Sequence, residues 1–370
     1  MHVLPLVSET TRKTMQNQSH RFCIAPMMDW TDRHCRVFHR ILSKRARLYS
    51  EMVTADAVIH GDRDRLIGFS TREHPLALQL GGSDPAKLAR AAQIGVDWGY
   101  DEINLNIGCP SDRVQVGRFG ACLMAEPELV ASCIAAMRDA VPARVAVTVK
   151  CRIGIDDQDA ETDFQRFVET VAAAGCSVFI VHARKAWLSG LSPKENRDVP
   201  PLDYDRVRRL KAARPDLTIV LNGGIGSLCD TERLLAPFET TRDAPDASDC
   251  SAGTHLDGVM LGRAAYQTPY LLAEVDARLF GDAHPPVSRA GAIEQLIPYC
   301  DTHIANGGRL SNISRHIMGL YHGRPRGRLF RRYLSDHAQK PGATTDVLKQ
   351  ALALVENAIA PEQSKELYVA

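Results

Sequence analysis

The chain has 370 residues, 45% of them hydrophobic, which is enough for one large domain with a sizeable core and a smaller second domain. No run is apolar enough to span a membrane, residues 1–20 lack the apolar stretch of a secretory signal, and the ten cysteines show neither a CxxC pair nor zinc-ligand spacing. The net charge of +1 says nothing about partners by itself, and the other features predict a cytoplasmic protein with reduced thiols and no metal site.

Eight short apolar runs alternate with helical patterns between Phe22 and Leu261. The runs are 22–26, 48–52, 76–80, 102–106, 145–150, 178–182, 218–222 and 258–261. Helical patterns occupy 85–94, 127–140, 163–174 and 205–213, and another begins at Thr231. This alternation predicts the α/β class, as a (β/α)8 TIM barrel. A doubly wound open sheet is the alternative, but it would carry a GxGxxG turn after an early strand, and the sequence has none there.

After His284-Pro-Pro the pattern is purely helical, with apolar faces such as Ile293, Leu296 and Cys300. We therefore predict a flexible leader at 1–20, a catalytic barrel at 21–285, a small all-α helical domain at 286–360 and a tail at 361–370. Residues 239–255 of the barrel are polar and lack apolar periodicity, which indicates a surface insertion.

Polar residues follow the predicted strands at the same end of each. Gln79 ends the third strand, a turn from Asn104 to Cys109 ends the fourth, Lys150 ends the fifth and His182 ends the sixth. Each is weak evidence alone, because a strand-end lysine is usually solvated and a free cysteine is usually inert. Together they predict one ligand at the C-terminal mouth of the barrel, where such barrels carry their chemistry.

The last two strand ends are rich in glycine and basic. Backbone N–H groups of Gly223, Gly224 and Gly262 can approach a phosphate, and Arg263 can neutralise it. The amide of Gln79 and the ammonium of Lys150 suit a planar ring with a negative edge. Flavin mononucleotide (FMN) has this chemistry.

Four motifs make the chain similar to the tRNA-dihydrouridine synthases, over about residues 22–333. They are Ala25-Pro-Met-Met-Asp-Trp-Thr-Asp32, Asn104-Leu-Asn-Ile-Gly-Cys-Pro-Ser111, Val149-Lys-Cys-Arg152 and Leu221-Asn-Gly-Gly224. Residues 181–197 and 322–325 resemble the A subfamily in particular.

The resemblance implies an FMN-dependent barrel enzyme with a C-terminal helical RNA-binding domain. Such enzymes reduce the C5=C6 bond of uridine in the tRNA D-loop, at positions 20 and 20a in the A subfamily, and NADPH re-reduces the flavin. Position by position, the resemblance implies FMN contacts at Pro26, Met27, Met28, Gln79, Lys150, His182, Asn222, Gly223, Gly224, Gly262 and Arg263. It also implies that Cys109 is the proton donor.

The chemistry of the residues agrees with that role for Cys109. Reducing an activated alkene needs a hydride at one carbon and a proton at the other. With flavin N5 as the hydride donor to C6, a thiol, which is protonated at neutral pH, can protonate C5. Gly108 and Pro110 can hold the cysteine rigidly. Asn104 and Asn106 share one side of their strand and either approach the substrate or satisfy the backbone of the turn.

A basic segment lies between 309 and 340, where seven arginines and one lysine stand against one acidic residue, a net charge of +7. It favours a polyanion partner, which the resemblance identifies as tRNA. We expect phosphate contacts at Arg315, Arg324, Arg326, Arg328, Arg331 and Arg332. Arg184 and Lys185, beside His182, would guide the RNA near the barrel mouth. Nothing in the sequence indicates a membrane or a protein partner.

Three other functions remain open. An FMN barrel oxidoreductase acting on a small pyrimidine such as dihydroorotate would share the strand-end pattern but would not need the basic segment. A Schiff-base aldolase using Lys150 would need no flavin and would be colourless. A tRNA-binding protein without chemistry would leave Cys109 and Lys150 without a role.

Overall fold

The computed structural model describes residues 20–238 and 254–356. The predicted leader up to residue 19, residues 239–253 of the predicted insertion and everything after residue 356, including the predicted tail, lie outside these ranges. Within the described ranges, no helix is both long and apolar enough to cross a membrane.

A parallel sheet that closes on itself forms the core of the chain between Phe22 and Leu261. Its strands are β1 (Phe22–Ile24), β2 (Leu48–Tyr49), β3 (Val53–Thr54), β4 (Leu76–Gly81), β5 (Glu102–Ile107), β6 (Ala146–Arg152), β7 (Val178–His182), β8 (Thr218–Asn222) and β9 (Gly258–Leu261). Neighbours follow the order β1-β9-β8-β7-β6-β5-β4-β2, and β3 also pairs with β4. The barrel closes between β1 and Arg47, the residue that precedes β2. There Ile24 N donates to Arg47 O and Arg47 N donates to Phe22 O, both at 2.9 Å. The predicted (β/α)8 TIM barrel is confirmed.

Helices lie between the strands and after the last one. They are α1 (Arg33–Leu42), α2 (Ala55–His60), α3 (Arg63–Ile67), α4 (Pro85–Asp97), α5 (Asp112–Val116), α6 (Pro127–Ala140), α7 (Thr162–Ala173), α8 (Tyr204–Ala213), α9 (Leu228–Leu235), α10 (Arg263–Gln267), α11 (Val275–Phe280), α12 (Arg289–Ala305), α13 (Leu310–Ser314), α14 (Gly327–His337) and α15 (Asp346–Glu356). Helix α6 has the predicted bounds. The sequence pattern did not predict α1. Three of its buried side chains are polar and suggest a solvated face in the sequence, so the helix shows no clear apolar face; they are Arg36, His39 and Arg40.

The barrel interior has an apolar part and a polar part. The apolar part is a cluster of Cys23, Ala25, Tyr49, Ala77, Val178, Ile180, Val220 and Met260. The polar part includes Gln79, Asn104 and Thr148, which stand in register on β4, β5 and β6 and so point to the same side of the sheet. Because unpartnered polar groups are costly to bury, these three side chains are compatible with the core only through hydrogen bonds to one another and to neighbouring polar side chains.

The described chain divides into two compact units. The first is the barrel, formed by the residues up to Met28 and by Ala46–Gly262. The second combines Asp29–Arg45, which carries α1, with the chain from Arg263 onward. The predicted domain boundary lies near residue 285 instead. The difference arises because α1, α10 and α11 each contact the 3₁₀ helix Pro269–Glu274.

The described part of the second unit, up to residue 356, contains helices and no strand. Helix α12 packs against α1, α13 and α15, and α14 packs against α15. Ile293 and Leu296 of α12, Phe330 of α14 and Leu348 of α15 are fully buried. The helical character that the sequence predicts after the barrel is confirmed.

Candidate active site

Lys150 and Asn222 meet at the C-terminal ends of β6 and β8. Lys150 Nζ donates to Asn222 Oδ1 at 2.9 Å, and Asn222 Nδ2 donates to Met260 O at 2.8 Å. Barrel closure therefore brings together two predicted site residues that are 72 positions apart in the sequence.

The ammonium of Lys150 is half-buried and electrostatically unfavourable in this position. Burial, and then the positive charge of Arg152, lower the pKa of Lys150 to about 8. Its hydrogen-bond partner within the described ranges is an amide oxygen rather than a carboxylate. Because a desolvated cation without an acidic partner is costly, this end of the barrel favours an anionic ligand.

His182 ends β7 in register with Arg152 on β6 and Asn222 on β8. Burial, and then the charges of Arg152 and Lys150, lower the pKa of the imidazole well below its usual value. The ring is therefore neutral at pH 7, so one nitrogen can donate a hydrogen bond and the other can accept one.

The turn after β8 brings its backbone close to His182. Gly223 has φ +114°, and a Cβ there would lie 2.5 Å from His182 Cδ2. Gly224 has φ +68°, and a Cβ there would lie 2.5 Å from Leu202 Cδ1. Tyr204 Oη donates to Gly223 O at 2.6 Å and holds the turn in place. Glycine is required at both positions, and its bare backbone leaves the N–H groups approachable by a phosphate.

Hydrogen bonds fix the backbone of the turn that carries Cys109. Asn106 Oδ1 accepts from Gly108 N at 3.1 Å and from Cys109 N at 3.0 Å. Cys109 O accepts from Ala121 N at 2.9 Å. The thiol is half-buried, with Sγ 3.6 Å from Ser111 Oγ. A rigid backbone under a partly exposed thiol suits a group that must present a proton in one direction.

Arg152 is a site residue to which the sequence pattern assigned no role. Its Nε donates to Gly108 O at 3.0 Å, and its Nη1 donates to Lys185 O and Asn196 O, both at 2.9 Å. The side chain is 3% exposed, and burial lowers its pKa to about 10. Arg152 thus joins the turn after β5 to the loop after β7. The signal in the sequence was its position two residues after Lys150, since such residues share a face of a strand.

Gln79 and Asn104 are joined inside the barrel. Gln79 Nε2 donates to Asn104 Oδ1 at 2.7 Å, and Asn106 Nδ2 donates to Gln79 Oε1 at 2.9 Å. Asn104 Nδ2 donates in turn to Thr148 Oγ1 at 2.8 Å. Gln79 is 1% exposed and Asn104 is fully buried. The Asn104 amide supports Gln79 inside the barrel, and the substrate contact predicted for Asn104 stays a prediction.

Glu102, at the start of β5, is a buried carboxylate that the sequence pattern did not single out. Its Oε1 accepts from Thr148 Oγ1 at 2.6 Å and from Tyr49 Oη at 2.9 Å. Its Oε2 lies 2.7 Å from His20 Nε2 and 3.3 Å from Arg47 Nη1. Burial alone would raise the pKa of Glu102, but the charges of His20 and Arg47 and the hydrogen bonds lower it to about 2. The carboxylate is therefore ionised inside the barrel.

The remaining predicted cofactor contacts follow β1 and β9. Pro26 and Met27 are half-buried, and Met28 is 57% exposed. Met27 packs against the apolar cluster, and a Cβ on Gly262 would first meet Met27 Sδ, at 3.7 Å. Arg263 begins α10 and is the first residue of that stretch of the second unit. The FMN contacts of these five residues stay predictions.

The loop after β7 carries Arg184 and Lys185, which were predicted to guide RNA. Arg184 Nε donates to Pro200 O at 2.7 Å, and Lys185 Nζ donates to Gln158 O at 2.5 Å. Both side chains are half-buried and stabilise the loop through these carbonyls. An RNA phosphate would have to compete with the same bonds, and the guiding role stays a prediction.

In the second unit, the arginines predicted to bind tRNA differ in their surroundings. Arg324 and Arg326 are exposed, and neither forms an ion pair with a residue in the ranges 20–238 and 254–356. Arg315 is half exposed and its Nη2 lies 2.5 Å from Asp32 Oδ2. The Asp32 carboxylate also lies 3.0 Å from His316 Nε2. Arg324 and Arg326 therefore have more charge to offer a phosphate than Arg315 has.

Comparisons with known proteins agree with the geometry. The sequence model of the family described as Dihydrouridine synthase (Dus) matches residues 23–358. A tRNA-dihydrouridine(20/20a) synthase of Xanthomonas campestris pv. campestris is 57% identical over 333 residues, which cover 90% of this chain and 93% of the relative. A tRNA-dihydrouridine(20/20a) synthase of Yersinia pestis is 53% identical over 356 residues, which cover 96% of this chain and 97% of the relative.

A solved structure shares the fold at low sequence identity. The complex of 2-naphthoyl-CoA reductase with 2-naphthoyl-CoA matches with a TM-score of 0.51 and 11% identity, covering 69% of this chain and 49% of that chain. At this identity the likeness concerns the fold alone. The family match over residues 23–358 and the identity to the curated relatives show that this chain belongs to the dihydrouridine synthase family.

Proposed function

We propose that this protein is a tRNA-dihydrouridine synthase that reduces the C5=C6 bond of uridine at positions 20 and 20a of the tRNA D-loop, with FMN as its cofactor and NADPH as its reductant. Family membership and the names of the relatives support the reaction and the substrate. The observation that carries the cofactor assignment is the half-buried Lys150 ammonium, whose partner is an amide rather than an acid. Because tRNA is the substrate, a cytoplasmic location follows as part of the proposal.

The donors at the barrel mouth fit FMN by their chemistry. Lys150 offers a cation and His182 a neutral ring, while the amide of Gln79 retains one N–H and one lone pair that its neighbours do not use. The Gly223-Gly224 turn offers backbone N–H groups without an obstructing Cβ. A phosphate and a ring with a negative edge require this combination. We assign the FMN contacts to the eleven residues named from the sequence.

Cys109 completes the reduction. Reduced FMN, when bound, supplies the hydride that adds to C6 of the uracil ring. The Cys109 thiol gives its proton to C5, so that one hydride and one proton together saturate the double bond. The thiolate regains a proton from solvent, to which the half-buried Sγ is partly open. Asn106 and Arg152 keep the turn in place while the proton moves.

The target uridine must leave the folded tRNA to reach a site at a barrel mouth. Extruding a base costs a few kcal/mol, which contacts elsewhere on the nucleic acid must offset. Exposed arginines of the basic segment, led by Arg324 and Arg326, suit phosphate contacts of this kind.

The visible spectrum of the purified protein tests the proposal. We expect a yellow protein that NADPH bleaches and that unmodified tRNA, but not free uridine, re-oxidises in the absence of oxygen. Mass mapping of the product should then place dihydrouridine at 20 and 20a. Re-oxidation only by a small pyrimidine would support the oxidoreductase alternative. A protein that stays colourless after FMN is added would refute the cofactor assignment.

A further inference from the structure

The hydrogen bonds between Glu102 and the amides above it form a chain in which every donor points the same way. Thr148 Oγ1 donates to Glu102 Oε1 at 2.6 Å, and Asn104 Nδ2 donates to Thr148 Oγ1 at 2.8 Å. Gln79 Nε2 then donates to Asn104 Oδ1 at 2.7 Å. All four side chains are at most 1% exposed, so water cannot replace a partner that is lost.

The upper part of this hydrogen-bond chain has its donors pointing in the same direction, toward Glu102. Asn106 Nδ2 donates to Gln79 Oε1 at 2.9 Å, and Asn106 Oδ1 accepts from Gly108 N and Cys109 N. Backbone N–H groups can only donate, so they allow the Asn106 amide one orientation. The chain therefore links a buried charge to the turn that carries the proposed proton donor.

The ionised carboxylate fixes the lower end. Glu102 can only accept, so the single O–H of Thr148 must be donated to it. The hydroxyl oxygen of Thr148 is then left to accept, which requires Asn104 to present its NH2 group downward and its oxygen to Gln79. The orientation of the Gln79 amide is therefore fixed from below by the charge at the bottom of the barrel, in agreement with the orientation that Asn106 imposes from above.

We propose that Glu102 and Thr148 are positioning residues that, together with Asn106 above, hold the Gln79 amide in one orientation toward the flavin. This inference rests on the FMN-binding role proposed for Gln79. One N–H and one lone pair of that amide remain for a ligand, and the chain decides which side carries which. A ring edge with an N–H beside a C=O is matched by one orientation of the amide and mismatched by the other.

The substitution Thr148→Val tests the inference, because valine keeps the shape and removes the hydroxyl. The matched control is Tyr49→Phe, which also removes one buried hydroxyl that donates to Glu102 Oε1. Tyr49 is not part of the hydrogen-bond chain that leads to Gln79. Thr148→Ser restores the hydroxyl and serves as the rescue variant. Three quantities are measured for each protein: the FMN dissociation constant, the flavin reduction potential and the thermal midpoint.

We expect both Thr148→Val and Tyr49→Phe to lower the thermal midpoint, and only Thr148→Val to shift the reduction potential and weaken FMN binding, by about tenfold. Thr148→Ser should restore both flavin properties. The inference is overturned if Thr148→Val matches Tyr49→Phe in FMN affinity and potential. Should Thr148→Val not fold, Thr148→Cys keeps a weak donor and should give an intermediate FMN affinity, whereas an unchanged affinity would again overturn it. Failure of the proposed function is a separate outcome, since the parent protein would then bind no FMN.

Discussion

Arg152 Nε donates to the carbonyl oxygen of Gly108 at 3.0 Å, which ties the tip of β6 to the turn beside Cys109. The same strand tip carries Lys150. A single strand therefore positions the ammonium proposed to contact FMN and anchors the turn of Cys109, the proposed general acid. A buried guanidinium that binds three carbonyl oxygens is a rigid support, because it offers several donors in a fixed plane.

Replacing Cys109 with alanine should separate cofactor binding from catalysis. We expect Cys109→Ala to retain FMN and to accept electrons from NADPH, but to reduce tRNA about 100-fold more slowly or worse, because the general acid is lost. Single-turnover re-oxidation of the reduced flavin by tRNA measures this step. Cys122→Ala, which removes another half-buried thiol, is the control and should react at the parent rate. Normal turnover by Cys109→Ala would refute the assignment.

Lys150 predicts an unusual pH dependence for the flavin-free protein. Below its folded pKa of about 8, the folded and the unfolded protein both carry the proton, and the full cost of burying the ammonium is present. Between about 8 and the ordinary value of 10.5, the unfolded chain keeps the proton while the folded chain loses it. This group therefore makes the free energy of unfolding rise with pH across that window.

Lys150→Met should accordingly raise the free energy of unfolding of the flavin-free protein at pH 7, by up to roughly 3 kcal/mol, and abolish its increase between pH 8 and 10.5. FMN binding should be lost at the same time. Urea unfolding of flavin-stripped parent and variant at several pH values measures both effects, with Lys185→Met as the control. A variant that is less stable than the parent at pH 7 would contradict the reasoning.

The close approach of Gly223 to His182 predicts that the turn tolerates no side chain. Gly223→Ala should lose FMN, because a Cβ would lie 2.5 Å from His182 Cδ2 as well as force alanine to φ +114°. Gly190→Ala isolates the backbone strain, since Gly190 also has positive φ but nothing within 4 Å of a Cβ. We expect the control to cost about 1 kcal/mol of unfolding free energy and to stay yellow. Equal flavin retention in the two variants would exclude the steric explanation.

Arg324 and Arg326 should contribute to tRNA affinity through phosphate contacts. The double variant Arg324→Gln/Arg326→Gln should bind tRNA more weakly and show a shallower dependence of log affinity on log salt, by roughly 0.7 to 0.9 per lost contact. Filter binding at several salt concentrations gives this slope. Arg278→Gln removes a surface arginine that already pairs with Glu274 at 3.1 Å, and it should leave the slope unchanged. An unaltered slope in the double variant would place the tRNA contacts elsewhere.

The barrel could be predicted from the sequence because each strand is a short apolar run, and the site could be predicted because chemistry-bearing residues end consecutive strands. Alternation along β5 also gave the common direction of Asn104 and Asn106. It could not give how deep each side chain lies in the barrel, because that depends on the register between neighbouring strands. Asn104 lies beside Gln79 and Thr148 inside the barrel, whereas Asn106 lies close enough to the barrel mouth to bind the backbone of the Cys109 turn.

Glu102 and Thr148 could not be recognised in the same way. A glutamate at the start of a strand is ordinarily interpreted as a solvent-exposed residue at the strand end, and a threonine inside a strand as an ordinary strand former. Their roles depend on partners distant in sequence, such as His20, which is 82 positions from Glu102, and Tyr49, which is 53 positions away. Helix α1 escaped prediction for a related reason, since burial of its arginines depends on its neighbours in the second unit.

The placement of Asp29–Arg45 in the second unit has a consequence for protein engineering and for gene rearrangement. Because α1 enters the chain before most of the barrel strands, no single cut releases the helical unit whole. A fragment that starts at Arg263 lacks the helix that contacts α12 and the 3₁₀ helix Pro269–Glu274. Exchanging only the C-terminal third between relatives would therefore join helices from one protein to an α1 from another, and a chimera that exchanges the whole helical unit has to carry both segments.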